Sequence, residues 1–314
     1  MVTLCLALFL IASISIVPAQ SLAQTYHIIA PATVPGWNAA NTADVLRFEI
    51  KKNGPLSSLS SIPANLTNDP AFVAFNSRGE LFVGNRHGNV LNGNGSISRF
   101  LFDSKGRIIP NGTIIGNSLE AVHGLAFVPT GELFAANLRN GLLSRFLFTA
   151  GGNAVPNGTI FTGEIDNMGI AFSAGGEMFT THNAVVRRWI FDATTGSAIP
   201  NGSFSPAGAT FLHGLAFDAK GELFITDLGD RVFRILFTET GEPINNGEIP
   251  ISGGPDAVAF SPRGELFVAS HFSGVISRFL FDGAGNYTSN GSFLTGGTLG
   301  GIAINGPGTA NGKN

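Results

Sequence analysis

Cysteine is almost missing from this chain. The single one, Cys5, sits in an apolar N-terminal run, so once that run is removed no disulfide, thiolate metal site or cysteine nucleophile can form. Charge is scarce too, at 12% of residues with a formal net charge of −3 and no cluster of Lys or Arg. That balance excludes the electrostatic footprint of a nucleic-acid binder. No glycine-rich phosphate loop precedes a helix, no GxSxG elbow is present, and no contiguous zinc motif of the HExxH kind occurs. The apolar run Leu4–Val17 is shorter than the roughly 20 residues a spanning helix needs. Followed by the small residues Ser21-Leu22-Ala23, it reads as a secretory signal peptide over residues 1–23, although it carries no Lys or Arg ahead of the apolar stretch. A secreted or periplasmic protein without a membrane span is expected.

What the chain has in quantity is Gly, 42 residues, and Phe, 27 residues. Both fall at repeating places. The segment His213–Asp227, HGLAFDAKGELFITD, has weaker copies at Ala71–Asn85, His123–Asn137, Met168–His182 and Asp256–Ser270, and a truncated one at Gly300–Asn305. The equivalent positions Phe75, Phe127, Phe172, Phe217, Phe260 and Ile304 are separated by 52, 45, 45, 43 and 44 residues. A period in the forties built from short strands is the signature of a β-propeller blade.

Each repeat reads as four strands, A to D: the GLAF run, the GELF run, an SRFLF-like run such as Ser277–Phe281, and a last strand after a second turn. The Asn-Gly steps in Pro110–Thr113, Pro156–Thr159 and Pro200–Ser203 are expected to make that second turn, because both residues tolerate positive φ. Four of the seven N-x-S/T sequons, at Asn111, Asn157, Asn201 and Asn290, are those same steps, so turn formation accounts for them.

The segment after residue 24 supplies strands B, C and D but no A; Gly301–Asn305 at the far end supplies it. The expected fold is therefore all-β: a six-bladed propeller over residues 24–305, closed by pairing the C-terminal strand with the N-terminal blade, which removes exposed sheet edges. Residues 306–314 read as a disordered polar tail.

A glutamate before each full B strand (Glu80, Glu132, Glu177, Glu222, Glu265) and an arginine in each C strand (Arg47, Arg99, Arg145, Arg188, Arg234, Arg278) recur in register. They are expected to pair across B and C as scaffold. Function is expected where repeats disagree, on the face carrying the D–A and B–C loops. There the A strands open with Ala71, His123, Met168, His213, Asp256 and Gly300, and the B strands close with Asn85, Asn137, His182, Asp227 and Ser270, with His271 next. Imidazole beside carboxylate suits a divalent metal or an oriented general base; channel water and neighbouring backbone are the plainer partners. Two longer loops on that face, carrying Trp37 and His87, are candidate rim walls.

At HGLAF…GELF…RFLF the repeat resembles the NHL and SMP-30/gluconolactonase type of six-bladed propeller, and the Val122-His123-Gly124 and Leu212-His213-Gly214 steps are similar to those of streptogramin-lyase-like propellers. Pro255-Asp256 matches the Pro-Asp step that binds a divalent cation in the SMP-30-like enzymes, whereas their N-terminal glutamate ligand has no counterpart in Thr25–Ala30. Taken with that ring of polar residues, the reading is a calcium, zinc, manganese or magnesium ion held by His123, His213 and Asp256, with His182, His271 and Asp227 as catalytic groups. Trp37, Asn85, His87 and Asn137 would bind substrate. The activity so implied is a metal-dependent hydrolase of lactones or esters. A streptogramin-lyase-like lyase, or a non-catalytic propeller that binds a small molecule or protein on the same face, stands beside it. A monomer is expected.

Overall fold

The computed structural model describes residues 25–33, 43–51, 56–86 and 95–305. Expectations for the signal peptide, for Trp37 and His87, and for the tail lie outside the described residues. The described chain forms six antiparallel sheets around one axis, and a single 3-10 turn, Ala64–Leu66, is its only helical element.

Five blades are continuous in sequence. The fifth is representative: Leu212–Phe217 (A), Leu223–Asp227 (B), Arg231–Phe237 (C) and Pro243–Pro250 (D). Blade one is composite. Its B, C and D strands are Thr25–Thr33, Val45–Lys51 and Leu56–Ser58, and the A position is filled from the C-terminal side by Thr298–Leu299 and Ala303–Asn305. Ile28 pairs with Ile304 and Ala32 with Leu299, closing the ring as the sequence predicts.

The glycine in each HGLAF-like step follows from crowding at the axis. A Cβ on Gly169 would lie 2.2 Å from the carbonyl oxygen of His213 in the next blade, and one on Gly124 would lie 2.6 Å from that of Met168. Neighbouring A strands approach so closely that only hydrogen fits.

The Asn-Gly steps do not make the C–D turns, contrary to expectation. The turns lie upstream, as at Asp103–Arg107, where Gly106 N donates to Asp103 O at 2.9 Å and the Asp103 carboxylate accepts from Lys105 and Arg107 N–H. Asn-Gly instead forms a bulge inside strand D, where the C–D register shifts and glycines such as Gly112 (φ 85°) and Gly247 (φ 88°) take left-handed conformations. Sequence alone could not separate the two, since turn and bulge ask for the same backbone freedom. The bulge aims the asparagine inward: Asn111, Asn157, Asn201, Asn246 and Asn290 each donate to the glutamate of their own blade at 2.7 Å.

That asparagine completes a unit of which the sequence showed two members. Arg99, Arg145, Arg188, Arg234 and Arg278 each donate through Nε to Glu80, Glu132, Glu177, Glu222 and Glu265 at 2.8 Å, as expected from B–C pairing. Several arginines also reach the next blade's C–D turn, for example Arg99 to Gly152 O and Arg188 to Gly241 O, both at 2.8 Å. Beneath lies a triangle of phenylalanines, such as Phe224, Phe260 and Phe281, with centroids 4.9 to 6.3 Å apart and the Arg234 guanidinium 5.3 to 5.5 Å from two of the rings. Blade one departs from this scheme: the carboxylate of Glu265 in blade six also accepts from Tyr26, whose phenol is pushed up to about 12 by burial and by that acid.

Candidate functional site

The polar residues singled out above divide into three groups. Asn85 and Asn137 are fully engaged by the scaffold. Asn137 accepts from Glu120 N–H at 2.9 Å and donates to Leu142 O and the Ser144 hydroxyl at 3.0 and 2.9 Å. Asn85 likewise accepts from Asn68 N–H and donates to Ser96 and Ser98. Asp227 is the blade-five version of this clamp, with Thr210 N–H and hydroxyl, Phe211 N–H and Gly229 N–H all donating to it. Burial works against its ionisation, but those hydrogen bonds outweigh it and hold the carboxyl below its usual range. These contacts give Asp227, Asn85 and Asn137 a loop-fixing role; three of the four at Asp227 fall on Oδ1, and Oδ2 accepts from Thr210 N–H alone.

His182 occupies the same clamp position in blade four and forms the second group. Its Nε2 contacts the Glu164 carboxylate and lies 3.0 Å from Asn183 Nδ2, and Glu164 also pairs with Arg187. Arg187 takes the place of the serine that serves the asparagine clamps in blades two and three.

The third group converges on the channel mouth. Asp256, buried at the start of its A strand, offers Oδ1 to His213 Nδ1 and Oδ2 to His271 Nδ1, the latter at 3.5 Å. His271 Nδ1 lies 2.7 Å from Leu299 O, which belongs to the C-terminal strand that closes the ring. The His123 ring stands edge-on to that of His213 with centroids 5.6 Å apart, and Phe72 and Phe211 cover the pair at 4.6 and 5.1 Å. The backbone beneath is fixed: the Thr226 hydroxyl donates to Asp256 O at 2.8 Å and accepts from Gly214 N–H at 2.8 Å. Residues from blades three, five and six thus meet at one point, which no local motif could announce.

Electrostatics differentiate the members. Burial resists ionisation of Asp256, but His213, and then His271, hold its carboxyl well below the ordinary carboxylate range. Burial pushes His123 down to about 3, so this imidazole is neutral at physiological pH and donates from Nδ1 to Met168 O at 3.2 Å. At His271 burial also works against protonation, but Asp256 and the Leu299 carbonyl outweigh it and raise the imidazole above its usual value. Arg86, ion-paired to Asp69 at 2.7 Å, acts on both His123 and His271 as a nearby positive charge. No sequence signal marks Arg86, which follows the B strand of a single blade and belongs to no repeat.

The metal expectation meets a geometric obstacle. Among the described residues no group of three or more His, Asp, Glu or Cys side chains is arranged to hold an ion. The proposed ligands His213 and Asp256 point their donor atoms at each other, and His123 turns its Nδ1 to a backbone carbonyl. The other ring nitrogen of His213, Nε2, is buried without a hydrogen-bond partner.

No protein-family model matches the chain, and no curated protein matches it in sequence. Solved structures do match. The periplasmic gluconolactonase of Pseudomonas aeruginosa aligns over 89% of this chain and 99% of its own, with a TM-score of 0.67 and 16% identity. A candidate 6-phosphogluconolactonase from Bacteroides fragilis gives 0.62 at 15% identity, covering 87% and 83%. A catalytically inactive histidine-to-alanine variant of virginiamycin B lyase from Staphylococcus aureus, with quinupristin, gives 0.52 at 16% identity, covering 83% and 84%. This chain is a six-bladed β-propeller whose structural neighbours include lactonase-like and streptogramin-lyase-like propellers. At such identities the likeness carries the architecture and leaves the chemistry to the site. Among the described residues no helix is long and apolar enough to cross a membrane.

Proposed function

We propose that the channel mouth opens an ester or lactone by general-base catalysis, with His271 as the base and Asp256 and His213 as positioning residues. The observation that carries this reading is the environment of His271 Nδ1. Both of its neighbours, Leu299 O and Asp256 Oδ2, are acceptors. The ring proton therefore resides on Nδ1, and the neutral imidazole presents its lone pair at Nε2. An imidazole oriented through one nitrogen by carboxylate and carbonyl, and basic at the other, is the arrangement a histidine base needs.

In the forward step Nε2 takes a proton from water as the oxygen attacks the ester carbonyl. The ester C–O bond then breaks, and the departing alkoxide recovers that proton from Nε2. Arg86, ion-paired to Asp69, is a nearby cation that would favour negative charge building at the mouth. The lactonase-like and lyase-like neighbours agree with an ester-type substrate, and the inactive lyase variant agrees with a histidine at the centre of the chemistry. Export to the periplasm or beyond is part of the proposal, supported by the apolar N-terminal run and by the periplasmic neighbour.

The test is a lactone and ester screen in the presence of chelator, in water enriched in oxygen-18. Hydrolysis puts the label into the product carboxylate; an eliminating lyase leaves the product unlabelled, with a new double bond. His271→Ala is expected to cut kcat by about 10²- to 10⁴-fold while leaving Tm near the parent value. Turnover in the parent that His271→Ala leaves intact would sink the assignment. The acid limb of the parent's rate profile lies above the ordinary histidine value, and Asp256→Asn moves it to lower pH.

A further inference from the structure

The residue after His271 is Phe272, and it is 65% exposed on the mouth face. A large aromatic ring left open beside a catalytic histidine requires an explanation in either stability or recognition. It is not a loose side chain. Phe272 N–H donates to Gly253 O at 2.9 Å, His271 N–H donates to Gly254 O at 2.7 Å, and Gly274 N–H returns to Ser270 O at 3.1 Å, so the three-residue turn is pinned at both ends.

The ring lies over Gly254, where a Cβ would stand 2.5 Å from a ring carbon, and edge-on to the His271 imidazole with centroids 5.1 Å apart. Gly254 takes φ 64°, a conformation that leaves this floor bare of any side chain. Leu294, 72% exposed, ends the neighbouring D strand of the same blade, opposite Val275. Two residues after the B strand, where blade six carries Phe272, the other four blades with a continuous sequence carry His87, Arg139, Ala184 and Gly229.

We infer that Phe272 is an apolar platform for the substrate, and that the site takes an ester or lactone bearing an aromatic or aliphatic substituent rather than a polyhydroxylated sugar lactone. This rests on the proposal that His271 is the base. A ring held edge-on to the imidazole leaves a face for a flat or branched apolar group. Aromatic stacking and loss of exposed apolar area favour such a ligand without any hydrogen bond. A sugar lactone gains nothing from this surface, since its hydroxyls would lose water against a ring that cannot replace it.

The experiment compares a phenyl-substituted δ-lactone with gluconolactone on the parent, Phe272→Ala, Phe272→Tyr and His271→Ala, measuring KM and kcat by product formation and lactone binding by calorimetry. The parent is expected to favour the phenyl-substituted lactone in kcat/KM. Phe272→Ala is expected to raise KM for that lactone about tenfold with kcat and the gluconolactone values unchanged, and Phe272→Tyr to restore most of it. An unchanged KM ratio in Phe272→Ala, or a parent that prefers gluconolactone, overturns the platform. If His271→Ala keeps full turnover while Phe272→Ala still raises KM, the platform stands and the base assignment falls. If no lactone is turned over, calorimetric binding of the phenyl-substituted lactone that Phe272→Ala weakens retains the platform, and absence of binding to the parent rejects it.

Discussion

Two faces of the same propeller obey opposite rules. On the side of the C–D turns, each full blade repeats one unit of Glu, Arg, Asn and packed Phe rings, and the glutamate accepts from both partners at nearly the same distances every time. At the channel mouth no two blades present the same pair of residues. The atoms record the difference. His213 Nε2, His182 Nδ1, Asn167 Nδ2 and Ser270 Oγ are buried without a hydrogen-bond partner, and all four belong to residues at the mouth-side ends of A and B strands. Thr67 Oγ1 and Arg187 Nε are unpartnered as well, and away from the mouth Arg47 Nε, within the cement, and Asn305 Oδ1 are the exceptions. Buried polar atoms are costly to leave unmatched, so the regular face settles stability and the irregular face retains unmet hydrogen-bonding capacity, as a binding surface does.

Removing a cement carboxylate should produce the largest effect on stability. Glu222 and Arg234 are each about 8% exposed at the side chain, and Glu222→Ala leaves a buried guanidinium and Asn246 without their acceptor. A loss of about 3 kcal/mol or more is expected, read as a drop in urea midpoint against the exposed control Glu239→Ala. The same change at Glu177, whose side chain is 20% exposed, should cost clearly less because water reaches the orphaned arginine. Equal losses at both sites would show that burial does not set the strength of the cement.

The mouth should reveal itself next, through pH. His123 is held neutral with its pKa near 3, against about 6.5 in an unfolded chain. Between those values the unfolded state binds the proton and the folded state does not, so stability falls as pH drops through that window. From pH 6.5 to 4.5 this one group should remove roughly 2 to 3 kcal/mol. His123→Gln keeps a donor for Met168 O and has nothing to titrate, so its urea midpoint should vary less over the same interval. A variant as pH-sensitive as the parent would place the acid lability elsewhere.

The fold was open to a reader of the sequence because it is periodic: strand count, blade number, ring closure and the Glu–Arg pairing all follow from residues that recur. Asn111 and its equivalents were visible but misassigned, since an Asn-Gly step serves a bulge as well as a turn and only the register separates them. The site was half legible. His213, Asp256 and His271 stood out as departures from the repeat. Their union at one carboxylate, however, depends on blades five, six and one meeting in space, and Leu299 O carries no mark in the sequence at all. Asn85, Asn137 and Asp227 are ambiguous in sequence for the opposite reason: a polar residue at the end of a B strand is equally what a loop clamp requires.

The smallest predicted effect tests that last distinction. Asn137→Ala leaves Glu120 N–H and the Ser144 hydroxyl short of a partner in a fully buried spot, which should cost about 1 to 3 kcal/mol of stability. Its kcat and KM on any lactone the parent opens should stay within about twofold, because surface loops can shift slightly without moving a base pinned by another blade. The clamp carries His271 no nearer to or farther from Asp256, whose position depends on Thr226 and the adjoining A strand. A large fall in kcat with stability preserved would return Asn137 to the substrate site and make the two faces less separate than their hydrogen bonds indicate.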